Sequence, residues 1–425
     1  MSILTKSPNL SKTLTLPMSI LTKSRYLPKI LTLYLPKPFH HLRHLSAASA
    51  ILSPDSSSPL TSKEKSRAAI DLLKSESNPA KILDICCAAS LTPDSRLDRA
   101  AFSIAVEKLS SSKNFSFIRD LMSEMKDRPD LRNEKWVAHS IVLFGQAGMI
   151  GDAIEVYENM GELLGVERTV RSFNALLFAC VLAGKYDEVN RVFVDLRYGV
   201  EPNLESYNWV IKGFVEAGKT GSGYSVLDQM RRNGIRPNAT TFGYLISGFY
   251  REEKVEDVGK VLNLMEECGM KPQLGTYNVR VQSLCKLGKS FEAKALVDGM
   301  VSRGMKLNCV TYNHLIHGFC KEGNLEEAKK SWKSMVNRGC KPDAECYFTL
   351  VYFLCRGGHF ETALGLCKES MEKSWFPNIT TMKLLAEGLI SISKVDEARE
   401  IITRVKEKFP KAAYLWNETE EKLPQ

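Results

Sequence analysis

The stretch TYNHLIHGFCKEGNLEEAKKSWKSMVNRGCKPD, residues 311–343, decides the fold. Its first part, through Phe319, carries large apolar residues at helical spacing. Cys320 and Lys321 follow, then Gly323, a residue suited to the left-handed conformation that ends a helix. Residues 324–336 form a second amphipathic stretch with Met335 on its inward side, and Gly339 and Pro342 break the chain again. The unit is helix, tight turn, helix, break. Neither helix buries its apolar stripe alone, so units must stack.

The same punctuation recurs along the chain. Pro202, Pro237, Pro272, Pro342 and Pro377 stand 35 residues or twice 35 apart, with Leu307 at the empty point. Gly148, Gly218, Gly288, Gly323 and Gly358 share a second phase, which Gly184 joins if one repeat is a residue short. Gly234, Gly269, Gly304 and Gly339 share a third, Met160, Met230, Met265, Met300 and Met335 a fourth, and Cys285, Cys320 and Cys355 a fifth. A fixed period of this size marks a stacked repeat array. The expected fold is an all-α solenoid of ten units over residues 64–413, followed by a tail at 414–425. Such an array offers a long groove lined by one side chain per repeat, not a single catalytic pocket.

The net charge of +9 misleads, because residues 1–50 hold seven Lys or Arg and no acidic residue. The remainder carries 51 basic and 49 acidic residues, a net of +2. Overall charge therefore does not argue for a nucleic-acid partner; a localised basic surface must. A basic, Ser/Thr/Leu-rich start fits an organelle leader at residues 1–50, mitochondrial before plastid, with residues 51–63 as linker. The segment from Met1 to Ser7 recurs from Met18 to Ser24. No run of apolar residues is long enough for a membrane span, so no membrane insertion is expected. The 11 cysteines form no CxxC pair and read as reduced packing thiols.

The tetratricopeptide pattern is absent. What recurs is Ser206-Tyr207-Asn208, Thr276-Tyr277-Asn278 and Thr311-Tyr312-Asn313, each opening a first helix, with Glu327-Ala328 in the second and Lys341-Pro342-Asp343 at the end. In these motifs the chain closely resembles plant pentatricopeptide repeat proteins over about 80% of its length. The resemblance implies a right-handed superhelix. It sets units at 170–203, 204–238, 239–273, 274–308, 309–343 and 344–378, weaker ones at 99–133 and 134–169, and degenerate caps at 64–98 and 379–413. The run AAIDLLKSESNPAKILDICCAASLTPDSRLDRAAF and the segments FNALLFAC and CYFTLVYFLCRGGHFETALGLCKESMEK are similar to a short mitochondrial subgroup associated with the plant mitochondrial ribosome.

The family binds single-stranded RNA one base per repeat, read by two or three side chains. The resemblance assigns reading to the fifth and last residues of a unit. It pairs Asn174 with Asn203, Asn208 with Asn238 and Asn278 with Asn308 for pyrimidines, and Asn313 with Asp343 for uracil. Second residues such as Glu205, Gly275 and Val310 flank the base. Gly243 with Gln273 reads nothing, Phe348 with Asn378 stacks only, Ser103 with Asn133 fits a weak purine reader, and Ala138 is silent. Lys286, Lys321, Arg251 and Arg356 share the phase that would contact phosphates. Both sets have plainer alternatives: the Asn residues as caps or bonds within the stack, the cations as complements to helix dipoles.

His314, His317 and Cys320 share a helix, but a zinc site needs four converging ligands, so no metal or other cofactor is expected. No His-x-Glu with Pro-Cys-x-x-Cys and no phosphate-binding Gly-rich loop is present, and the chain reads as non-catalytic. The expected role is RNA binding in the mitochondrial matrix. The partners would be ribosomal RNA or organelle messenger RNA together with mitochondrial ribosomal proteins, in translation. A free factor for transcript stability, splicing or translation activation, and a peptide-binding scaffold, are the alternatives.

Overall fold

The computed structural model describes residues 62–90, 99–126, 133–195 and 199–423. The expected leader and residues 51–61 of the expected linker lie outside them. Helices come in antiparallel pairs: α1 (Ser62–Ser75) with α2 (Pro79–Ser90), α3 (Arg99–Ser111) with α4 (Phe115–Lys126), and α5 (Glu134–Gln146) with α6 (Ile150–Leu164). Then follow α7 (Val170–Leu182) with α8 (Tyr186–Val194), α9 (Leu204–Glu216) with α10 (Thr220–Arg232), and α11 (Ala239–Arg251) with α12 (Val255–Glu267). The last pairs are α13 (Leu274–Lys286) with α14 (Ser290–Ser302), α15 (Cys309–Lys321) with α16 (Leu325–Asn337), α17 (Ala344–Arg356) with α18 (Phe360–Glu372), and α19 (Ile379–Ser391) with α20 (Val395–Lys408). A 3-10 turn (Pro410–Trp416) and α21 (Asn417–Glu421) fold back on the last pair, where Trp416 is buried. The described residues form an all-α solenoid without strands.

The turn inside each pair follows from backbone chemistry. At the end of α15, Glu322 N–H donates to Gly318 O (3.0 Å) and Asn324 N–H to Phe319 O (2.8 Å), closing the helix around Gly323 at φ 77°. In the α3–α4, α11–α12 and α19–α20 turns glycine is replaced, and Lys113, Glu253 and Ser393 take the same left-handed conformation at φ 58°, 57° and 61°. A side chain in that region is strained. Glu253 is exposed, so Glu253→Gly is expected to stabilise the array by about 0.5–1 kcal/mol after the glycine's unfolded-state entropy is counted. Denaturant titration checks this, with Gly323→Ala shifting the midpoint the other way.

The methionine phase lies in the core, with Met160, Met230, Met265, Met300 and Met335 all buried between the helices of their units. Each such burial contributes about 1.5–3 kcal/mol. The repeat-phase cysteines are packing residues as well. Burial pushes the Cys285 thiol up to about 11 and those of Cys320 and Cys355 up to about 12, so all three stay un-ionised at neutral pH. All eleven cysteines are free.

Neighbouring first helices pack directly on one another, α9 on α11, α11 on α13, α13 on α15 and α15 on α17, whereas successive second helices from α6 onward make little contact. The stack therefore curves toward the row of first helices, and that row lines its inner side. Small residues permit the approach. A Cβ added at Gly318 would sit 2.5 Å from Ser290 Oγ, and one at Gly145 would sit 2.5 Å from the Ala179 Cα. Among the described residues no helix is long and apolar enough to cross a membrane.

Candidate nucleic-acid interface

The last residue of each unit is the N-cap of the next first helix. Asn203, Asn238, Asn308 and Asp343 have extended backbones, and their side chains accept the N–H three residues on: Ser206 (3.0 Å), Thr241 (3.0 Å), Thr311 (3.1 Å) and Cys346 (2.9 Å). An N-cap oxygen of this kind satisfies a helix donor otherwise left bare, and typically contributes about 1 kcal/mol. The capping alternative is therefore true of these residues, whatever else they do.

The fifth residues lie one turn inside the preceding first helix, at equivalent places on α7, α9, α13 and α15. Asn174 Nδ2 donates to Asn203 Oδ1 (3.2 Å), Asn208 Nδ2 to Asn238 Oδ1 (3.5 Å) and Asn278 Nδ2 to Asn308 Oδ1 (3.5 Å). Three of the four pairs expected from the resemblance thus touch. The fourth, Asn313 with Asp343, makes no hydrogen bond. Asn208 and Asn278 are half-buried, while Asn174 and Asn313 are only 5% and 6% exposed. Asn174 also donates to Glu205 Oε2 (3.1 Å), so both protons of its amide are taken within the stack. Ser103 is likewise engaged, donating to Gln146 Oε1 (2.9 Å).

A set of residues missed in the sequence completes the pairs. Ser206 Oγ donates to Asn174 Oδ1 (2.6 Å), Thr241 Oγ1 to Asn208 Oδ1 (2.7 Å) and Thr311 Oγ1 to Asn278 Oδ1 (2.7 Å). For Ser206 and Thr311 the signal was in the recurring Ser/Thr-Tyr-Asn triplet, whose hydroxyl serves the amide of the unit before; Thr241 does the same from Thr241-Phe242-Gly243. Asp343 is held below its ordinary pKa: burial raises it, but the Cys346 N–H and the Cys346 and Cys309 thiols together outweigh that. It is an anion at neutral pH. Burial also holds His314 below its ordinary value, helped by Lys286 and His317, so His314 is neutral there.

Beside the reading positions, aromatic and cationic groups of successive first helices meet. Phe178 and Trp209 stand 4.5 Å apart, and the Lys212 ammonium lies 5.3 Å from the Trp209 ring and 5.7 Å from that of Tyr244. Such faces accept a stacked base without sequence preference. At Gly243 the row is open, where an added Cβ would meet only Val279 Cγ2 at 3.8 Å.

The four expected phosphate contacts are the final residues of α11, α13, α15 and α17, all exposed. Each lies eight residues past a reading position, a rise of about 12 Å along the helix. They are not equivalent. Arg251 is paired with Glu216 at 2.9 Å and also meets Val215 O at 3.4 Å. Arg356 donates to Tyr352 Oη at 3.4 Å. Lys286 and Lys321 have no ion pair among the described residues.

Paired two-helix units with amide pairs, aromatic rings and cations repeated along the first helices define a helical-repeat protein of the α-solenoid class. The chain belongs to the pentatricopeptide repeat family. The PPR repeat family matches residues 202–251 and 307–356, the pentatricopeptide repeat domain residues 155–217, and the PPR repeat residues 240–270 and 275–305. A mitochondrial pentatricopeptide repeat-containing protein of Arabidopsis thaliana is 54% identical over 369 residues, 86% of this chain and 91% of the relative. The small ribosomal subunit protein mS79 of the same plant is 32% identical over 163 residues, 38% of this chain and 41% of the relative. The small ribosomal subunit protein mS78 is 29% identical over 191 residues, 44% and 48% of the two chains. The first of these relatives makes the chain a mitochondrial member of the family. The crystal structure of PPR10 from maize superposes with a TM-score of 0.39 at 17% identity, covering 85% of this chain and 60% of that one.

Proposed function

We propose that the chain is a non-catalytic RNA-binding component or stable partner of the mitochondrial ribosome, acting in translation. The observation that carries the RNA part is the register of Asn208–Asn238 and Asn278–Asn308. Each amide keeps one N–H uncommitted after its partners are met. Bases would meet these amides and the Trp209 and Tyr244 faces, and phosphates would meet Lys286 and Lys321. The ribosomal part is supported by the likeness to mS79 and mS78, which spans less than half of either relative. The sparse reading set favours it over a free single-transcript factor. Asn174 is consumed by Glu205, and Gly243 carries no side chain, so few units are left to choose bases.

Gradient sedimentation of detergent-lysed mitochondria tests the reading. The protein is expected to travel with a ribosomal subunit and with assembled ribosomes, and to crosslink to ribosomal RNA. Absence from every ribosomal fraction, with crosslinks on messenger or intron RNA, would replace it with the free-factor role.

A further inference from the structure

Charge is uneven along the array. The units over 134–203 hold ten acidic and six basic residues, whereas those over 274–343 hold twelve basic and six acidic ones, so the two stretches differ in sign. Part of the basic excess lies off the first-helix row. Arg236, Lys271, Lys306 and Lys341 stand 35 residues apart, each in the loop that leads from a second helix to the next first helix. All four are exposed, and among the described residues none has an ion pair, a side-chain hydrogen bond or a ring contact. Glu267 and Asp343 are the acidic residues nearest the ladder in sequence. Neither pairs with it, and Asp343 instead accepts the Cys346 N–H at 2.9 Å.

The loops hold these cations outward. Each loop leaves a glycine, Gly234, Gly269, Gly304 or Gly339, at φ between 73° and 77°. The residue before each cation, Ile235, Met270, Met305 or Cys340, packs against the core. The residue after it, Pro237, Pro272, Leu307 or Pro342, is buried or half-buried. With both neighbours turned inward, the side chain between them turns out. Three of the four precede proline, which keeps their backbone extended. First helices pack about 8–10 Å apart, so the four cations form a ladder about 25–30 Å long. Lys286 and Lys321 lie at the opposite ends of the first helices, about 18 Å away along 13 residues.

This edge offers charge without stacking faces. Tyr207, Phe242 and Tyr312, near the starts of the first helices, are buried. Tyr277 is covered by Arg303 at 5.5 Å and Arg280 at 5.7 Å. A single strand is held by open rings as well as cations. A duplex turns its bases inward and offers phosphates and 2′-hydroxyls, which are recognised by shape and charge. We propose that the loop edge carrying Arg236, Lys271, Lys306 and Lys341 is a second RNA surface, which takes the phosphate backbone of a base-paired segment. The surface is separate from the groove, and the inference does not depend on base reading there.

The full-length protein is titrated by fluorescence anisotropy with a blunt RNA duplex of about 16 base pairs and with an unstructured single strand of the same length. The key variant combines Lys271→Gln, Lys306→Gln and Lys341→Gln. Each phosphate contact on a duplex contributes about 0.9 to the slope of log affinity against log salt, so three remove about 2.7. Duplex binding is expected to weaken roughly 100-fold at about 0.15 M salt, with single-strand binding changed less than twofold. Replacing the same three lysines by arginine should keep duplex binding, and Lys286→Gln with Lys321→Gln should weaken the single strand alone. Duplex affinity unmoved by the triple glutamine variant, or absent from the wild type, overturns the inference. Equal losses on both RNAs would give the ladder to the strand in the groove and overturn it as well. Duplex binding with no single-strand binding would remove the groove reading and leave the second surface standing.

Discussion

Lys286→Gln combined with Lys321→Gln is expected to weaken RNA binding about 15-fold at about 0.15 M salt and to flatten the salt dependence. The estimate is direct: each phosphate contact on a single strand contributes about 0.7 to the slope of log affinity against log salt, so two contacts remove about 1.4. These two lysines carry the prediction because they form no ion pair among the described residues, whereas Arg251 is held by Glu216 at 2.9 Å. Removing Arg251 therefore costs less than removing either lysine. Glu216→Gln frees the guanidinium and is expected to tighten binding and steepen the slope. Fluorescence anisotropy with one single-stranded RNA over a salt series measures each of these variants. A slope unmoved by the double lysine variant would place RNA away from the inner row.

Gly145→Val is expected to destabilise the array by about 3 kcal/mol. Gly145 lies on α5 where it crosses α7, and even one added carbon would stand 2.5 Å from the Cα and Cβ of Ala179 and 2.9 Å from its carbonyl oxygen. Backbone atoms cannot swing aside as a side-chain tip can. Overpacking of a tight core costs about 1–3 kcal/mol and occasionally more. Valine recovers only a few tenths of a kcal/mol in helix propensity over glycine. Gly388→Ala is the contrast, because there an added Cβ meets the ring of Phe360, which can turn. Chemical denaturation followed by circular dichroism checks both. Equal effects would mean that the α5–α7 contact relaxes as freely as a side chain.

Much of the candidate site could be read from spacing. The lattice of Pro, Gly and Met positions located the units, and the recurring Tyr-Asn pairs located Asn208, Asn278 and Asn313 on equivalent turns. The fifth-with-last pairing came from resemblance, and three of its four pairs touch. The last residue's duty as an N-cap was open as an alternative, because an Asn before an apolar run is a cap signal on its own. The hydroxyls of Ser206 and Thr311 stand in the same triplet and that of Thr241 at the equivalent place, yet each has its partner about thirty residues upstream. Nothing local says which way it donates. The four cations looked alike in phase, and Glu216 against Arg251 sets one apart only because α9 and α11 lie side by side.

The amino-acid sequence by itself determined the period, the paired helices and the turns between them. These are local matters of backbone freedom and apolar spacing, settled within a few residues. The tertiary structure alone decided which polar groups are still unspent on the inner row. Asn174 loses its protons to Asn203 and Glu205, Arg251 its charge to Glu216, and Asn313 keeps a bare carbonyl beside Cys346. A hydrogen bond is made or left open by neighbours within about 3 Å, and in a stacked array those neighbours belong to the next unit.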